Sequence, residues 1–135
     1  MRFFKSLILS SLIFLLSSCG GLQFEDFQKQ PIYKRVVGTY DTRCVYNEFY
    51  IESVRTQPDL NFYAPLSWTG NYNDKEDTGL IVGNMSQRGY VITITVTKTT
   101  QTTIVDARAI DIPVINYEKI VDKIFSGINL DKCKR

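Results

Sequence analysis

The sequence predicts an α+β fold: an antiparallel sheet of about four strands with two helices packed on one face, in the order β-α-(β)-β-β-β-α. Three observations carry that expectation. Tyr90 to Lys98 alternates, with Ile92, Ile94 and Val96 on one side and Thr93, Thr95 and Thr97 on the other, the period-two signature of a strand. Tyr117, Ile120, Val121, Ile124, Phe125 and Ile128 recur at the spacing of a single helical stripe, which marks a core-facing helix. Short β-prone runs between residues 79 and 110 are separated by tight polar turns, so the simplest connection is a meander.

Taken in order, Val36 to Tyr40 is a short β-prone run. Asp41 or Thr42 is placed to cap a helix over about residues 42–57. There Tyr46, Phe49, Tyr50, Ser53 and Val54 share helical spacing, with Glu48, Glu52 and Arg55 on another face. Gln57-Pro58-Asp59 stops that helix, because the residue before proline is pushed out of the helical region. Residues 60–72 are aromatic and broken by Pro65 and Gly70, which fits either an edge strand or an ordered loop. Asn73 to Asp77 reads as a polar turn, Gly79 to Met85 as a strand and Ser86 to Gly89 as a tight turn. Beyond Lys98, Thr99 to Thr102 turn the chain into a strand from Thr103 to Ile110. On it Val105, Ala107 and Ala109 share a face opposite Asp106 and Arg108, and the small alanines leave room for a helix. Pro113 ends the sheet, and Asn116 caps the last helix, Tyr117 to about Ile128.

Charge and composition narrow the chemistry. There is no histidine, which removes Ser-His-Asp and Cys-His nucleophilic sites and most zinc and haem sites. No Gly-rich phosphate loop or nucleophile elbow is present. Without Arg2 and Lys5 the chain carries 14 Lys and Arg against 14 Asp and Glu, so no overall basic field draws nucleic acid.

The N-terminus is an address. Met1 to Ser6 is a short basic segment, and Leu7 to Leu16 a ten-residue apolar run. That run is half the roughly 20 residues a membrane-crossing helix needs, so residues 1–18 read as a signal peptide. Leu16-Ser17-Ser18-Cys19 resembles the lipobox of bacterial lipoproteins: an aliphatic residue, two small residues, then cysteine. The resemblance implies diacylglycerol on the Cys19 sulfur, cleavage before that residue and membrane attachment through the acyl chains. Two or three such chains, at about 0.8 kcal/mol per buried CH₂, anchor stably. Gly20 follows where Asp retains many Gram-negative lipoproteins in the inner membrane, so the resemblance implies an outer-membrane location facing the periplasm. Residues 19–35, with Gly20-Gly21 and Pro31, read as a lipidated start and flexible tether, and 36–135 as one domain.

Cys44 and Cys133 remain. An even pair in an exported domain predicts one disulfide, the alternative being two free thiols. For a loop of roughly 90 residues the bond contributes about 4–5 kcal/mol.

The order of elements is similar to the helix-grip domains of bacterial envelope lipoproteins. The residues that carry the likeness are Asp74 to Val82, a charged turn leading through Gly79 into an aliphatic strand, and the final amphipathic helix.

Among candidate sites, Glu48 and Glu52 sit four apart, a carboxylate pair or a solvated face. Asn71 to Asp77 offers oxygen ligands, but Glu76 stands where a calcium loop needs glycine, so a plain turn is expected. Phe62, Tyr63, Trp68 and Tyr72 form an aromatic-dense stretch. Exposed, it is a partner-binding surface; packed, it covers the open side of the sheet. The expected function is a non-enzymatic binding or assembly module of the cell envelope, with no cofactor or metal and an envelope protein as partner. The alternative is a carrier holding a lipid or other apolar ligand in a cavity between helix and sheet.

Overall fold

A computed structural model describes residues 24–56, 66–85, 89–112 and 115–135. They form an α+β fold with one antiparallel sheet. Five strands build it: β1 (Lys34–Gly38), β2 (Ser67–Asn73), β3 (Thr78–Met85), β4 (Gly89–Lys98) and β5 (Thr103–Ala109). Their spatial order is β1-β5-β4-β3-β2. Strands β2 to β5 are the expected meander, and β1 joins it beside β5. Among the described residues three α-helices accompany the sheet, α1 (Phe24–Gln28), α2 (Thr42–Arg55) and α3 (Tyr117–Ser126). Among the described residues none is long and apolar enough to cross a membrane.

Three details depart from the expectation. The sheet has five strands, because the undecided aromatic stretch supplies an edge strand paired along its whole length with β3, from Ser67↔Asn84 to Asn73↔Thr78. The sheet does not simply end before Pro113; Asp111–Ile112 (β6) and Ile115–Asn116 (β7) pair as a small separate ribbon. The third departure is α1, which lies within the stretch read as a tether and packs on the opposite face from α2 and α3. Phe27 is its anchor and is fully buried. Lys34 and Arg35, also in that stretch, belong to β1.

Local chemistry explains the two long helices. Asp41 caps α2 by accepting a hydrogen bond from the Cys44 N–H at 2.8 Å, and Asn116 caps α3 from the Lys119 N–H at 3.1 Å, each satisfying an amide with no partner inside its helix. Helix α3 closes at Gly127, whose N–H reaches Lys123 O and Ile124 O, two residues before the expected end. Helix α2 buries Val45, Tyr46, Phe49 and Ser53, whereas Val54, expected in the stripe, is 46% exposed. The buried face is centred one residue earlier than the tyrosines suggest, so Val45 takes the place assigned to Val54.

The main core lies between these helices and one sheet face. Ile92, Ile94 and Val96 of β4 and Val105 and Ala107 of β5 join Ile120, Val121 and Ile124 of α3. Phe125 packs at the margin, its ring edge-on to Phe49 at 4.8 Å. A break in alternation enlarges this core. The β3–β4 register jumps from Gly83↔Ile92 to Asn84↔Tyr90, leaving Val91 as the extra residue of a bulge. Val91 and Ile92 are therefore both buried in the main cluster, and Tyr90 turns to the opposite face, where its ring meets Phe24 at 5.7 Å.

The C-terminus is tied back to the start of α2. Cys44 and Cys133 are joined, with Cα atoms 5.5 Å apart across 89 positions of sequence. Around them Asp41 N–H donates to Cys133 O at 2.8 Å and Arg135 N–H to Thr39 O at 3.4 Å.

Candidate functional site

The register sorts the sheet into two faces. On the helix side, β2 presents Trp68, Gly70 and Tyr72 opposite Gly83, Ile81 and Gly79 of β3. These glycines have a packing reason. A Cβ at Gly79 would fall inside the Tyr46 ring, one at Gly70 against Tyr46 Oη and the Tyr50 ring, and one at Gly83 about 3 Å from the Trp68 indole. Aromatic rings rest on the strands where side chains are missing.

Trp68 and Tyr72 are thus half-buried and seated against the core rather than projecting from it. Tyr72 packs on Tyr46 at 5.2 Å, carries the Arg43 guanidinium 4.7 Å above its ring and donates its hydroxyl to Asp77 Oδ1 at 3.2 Å. Burial first, and the Asp77 bond second, push its phenol up to about 12. The Trp68 indole N–H is buried with no hydrogen-bond partner among the described residues. Phe62 and Tyr63, the other half of the expected aromatic site, lie outside the described residues, as does Cys19. The sequence reading missed Tyr46 and Arg43 as neighbours of Tyr72, and Tyr50 as the ring stacked on Tyr46 over Gly70. The available signal was the pairing of tyrosines at i and i+4 with glycines across two adjacent strands.

The remaining candidates make contacts within the fold. Glu48 pairs with Lys132 at 2.7 Å, and Asp74 pairs with Arg43. Asn73 Oδ1 accepts from the Lys75 and Glu76 amides, and Asp77 takes a positive φ of 48° to close the turn. Among the described residues no three His, Cys, Asp or Glu side chains are grouped to hold a metal. Between the helices and the sheet lie side chains such as Val45, Phe49, Ile81 and Ile94, each at most 1% exposed.

The opposite face is built differently. Its cross-strand rows follow from the pairings. One row runs Thr69, Val82, Thr93, Arg108; the next Asn71, Leu80, Thr95, Asp106; the last Asn73, Thr78, Thr97, Ile104. Helix α1 lies over the first, where Thr93 and Val82 are buried although neither strand turns them toward the main core. Arg108 Nε donates to Gln30 O at 3.1 Å and holds the segment after α1 down. The β2, β3 and β4 members of the other two rows are left open and floor a groove of about 350 Å³ walled by Phe24 and Gln28. The Thr alternation of β4 marked this face as polar; nothing in it signalled that Phe27 would cover one row and wall off the rest.

No protein-family model, curated protein or solved structure matches this chain.

Proposed function

We propose that the chain is a lipid-anchored lipoprotein of the bacterial envelope, held through Cys19 in the outer membrane and acting as a non-catalytic binding or assembly module. The observation that carries this reading is the sequence Leu16-Ser17-Ser18-Cys19 directly after a basic and then apolar N-terminal segment. Two structural facts support it. Cys44 and Cys133 meet at disulfide distance, a bond that an oxidising compartment sustains. Phe24, the first described residue, is only five positions beyond Cys19, a span of at most about 18 Å. Acyl chains on Cys19 would therefore hold the α1 side of the domain close to the bilayer, with α2, α3 and the aromatic cluster turned away from it.

The test is metabolic labelling with radioactive palmitate, followed by detergent phase partition. The native protein is expected to take up label and enter the detergent phase, and Cys19→Ser to do neither. A Cys19→Ser protein that still takes up label and partitions into detergent contradicts the reading.

A further inference from the structure

We propose that the groove on the second face of the sheet binds a neutral saccharide unit. Its volume of about 350 Å³ stands at the small end of the roughly 300–1,000 Å³ typical of ligand sites, a size for one or two sugar rings rather than a folded partner.

The lining has the composition such a ligand needs. Gln28, Asn71, Thr78 and Thr97 line the groove, and none of their side chains is hydrogen-bonded within the described protein. Two amides and two hydroxyls therefore offer both donors and acceptors. Their neighbours are partly committed. Asn73 spends its carbonyl on the Lys75 and Glu76 amides and keeps its NH₂, while Thr95 donates to Asp106 O at 3.4 Å. Between these polar groups stand Leu80 in the floor and the Phe24 ring in the wall, the ring held edge-on by Tyr90. A pyranose alternates hydroxyls with apolar C–H faces, and aromatic and aliphatic surface suits the latter.

Charge rules out other classes. Among the described residues no ionisable side chain lines the groove. Asp106, paired across from Thr95, is engaged by Arg35 through two hydrogen bonds at 2.6 and 2.8 Å, and Asp77, next to Thr78, by Lys98 at 3.1 Å. An ionic ligand would lose hydration without gaining a counter-charge. A wholly apolar ligand would cover the amides of Gln28 and Asn71 and leave them unsatisfied.

This inference supplies a ligand class for the binding module proposed above, and its test is scored separately from anchoring. The full lipidated chain, in a zwitterionic detergent without a sugar headgroup, is titrated with N,N′-diacetylchitobiose, with maltose and with sodium laurate, and amide shifts are followed by NMR. The expected result is saturable binding of at least one disaccharide, with Kd of about 1 mM or tighter, and shifts centred on Gln28, Asn71, Thr78 and Thr97. Phe24→Ala and Asn71→Leu should each weaken it at least about tenfold. Asn71 is exposed on an edge strand, so that variant keeps the fold even where Phe24→Ala loosens α1. Absence of saturable shifts with both sugars, shifts unchanged in Asn71→Leu, or laurate saturating the groove in place of sugar each overturns the proposal. All three outcomes leave label uptake at Cys19 untouched, so failure of the ligand is distinguishable from failure of the anchor.

Discussion

The two faces of the sheet are built on opposite plans. On the helix side, two capped helices, a bulge that adds Val91 and aromatic rings lying on Gly79 and Gly83 build the main buried cluster. On the other side, one helix of five residues covers one cross-strand row through Phe27 and leaves the next two open. The first face is where stability resides. The second is a surface held in shape by a small, detachable cover, and function has room there. A residue of the same type should therefore behave differently on the two faces.

The largest expected effect comes from the helix-side core. Phe49 is 1% exposed and packs against Phe125, and rigid elements surround it, so the site cannot collapse. Phe49→Ala is expected to cost about 3–5 kcal/mol in urea unfolding. Phe27 is equally buried, but α1 can lift away instead of leaving a cavity. Phe27→Ala is expected to cost only about 1.5–3 kcal/mol, the transfer contribution alone, and amide exchange should show α1 deprotected while β3 and β4 stay protected. Equal costs for the two variants would break the contrast.

A smaller effect has the opposite sign. Thr93 is fully buried beneath α1, and its hydroxyl has no partner among the described residues. Thr93→Val removes an unsatisfied group at nearly constant shape and is expected to stabilise by about 1 kcal/mol. In a Phe27→Ala background, with the cover loosened and Thr93 hydrated, that gain should vanish.

The smallest effects are electrostatic and pH-dependent. Tyr72 has its phenol raised from 10.0 to about 12 in the fold. A raised folded value means that its contribution is complete below pH 10 and lost as pH climbs from 10 toward 12. Tyr33, through its Asp122 bond, and Tyr46, through burial, are raised as well, so ultraviolet titration should find a late component from which Tyr72→Phe removes one tyrosine's share. The carboxyls of Asp122, bonded first by Lys34, and Asp77, bonded first by Lys98, are instead held below the ordinary 3.8. Their contributions are complete above the ordinary value and fade as pH falls through the folded values. Both groups are exposed, and the loss should be modest and reduced by salt.

What was legible in the sequence divides along the same line. From Ile92 to Val96, strand β4 carries an unbroken periodic pattern, as does helix α3, and the apolar residues Ile92, Ile94, Val96, Ile120, Val121 and Ile124 are buried where the pattern puts them, although Val91 and Thr93 are buried as well. Cap residues fixed the starts of α2 and α3 because Asp41 and Asn116 act through local hydrogen bonds. Non-local features were hidden. The bulge at Val91 looks like ordinary alternation until β3 is laid beside it. Helix α1 is too short to show a period, and its place depends on one phenylalanine meeting a distant strand. The expected aromatic site was legible only as composition: Trp68 and Tyr72 are seated on the core by glycines 79 and 83, whose relation to them appears only in the pairing of β2 with β3. The groove was invisible because its floor comes from three strands and its wall from a segment read as tether.

The most direct measurement is a pair of double-mutant cycles by urea unfolding, Phe27→Ala with Val82→Ala and Phe27→Ala with Phe49→Ala. If Phe27 closes the second face, it couples to Val82 by at least about 0.5 kcal/mol and is additive with Phe49 within about 0.5 kcal/mol. Coupling to Phe49 together with additivity toward Val82 would place Phe27 in the helix-side core and contradict the two-face arrangement.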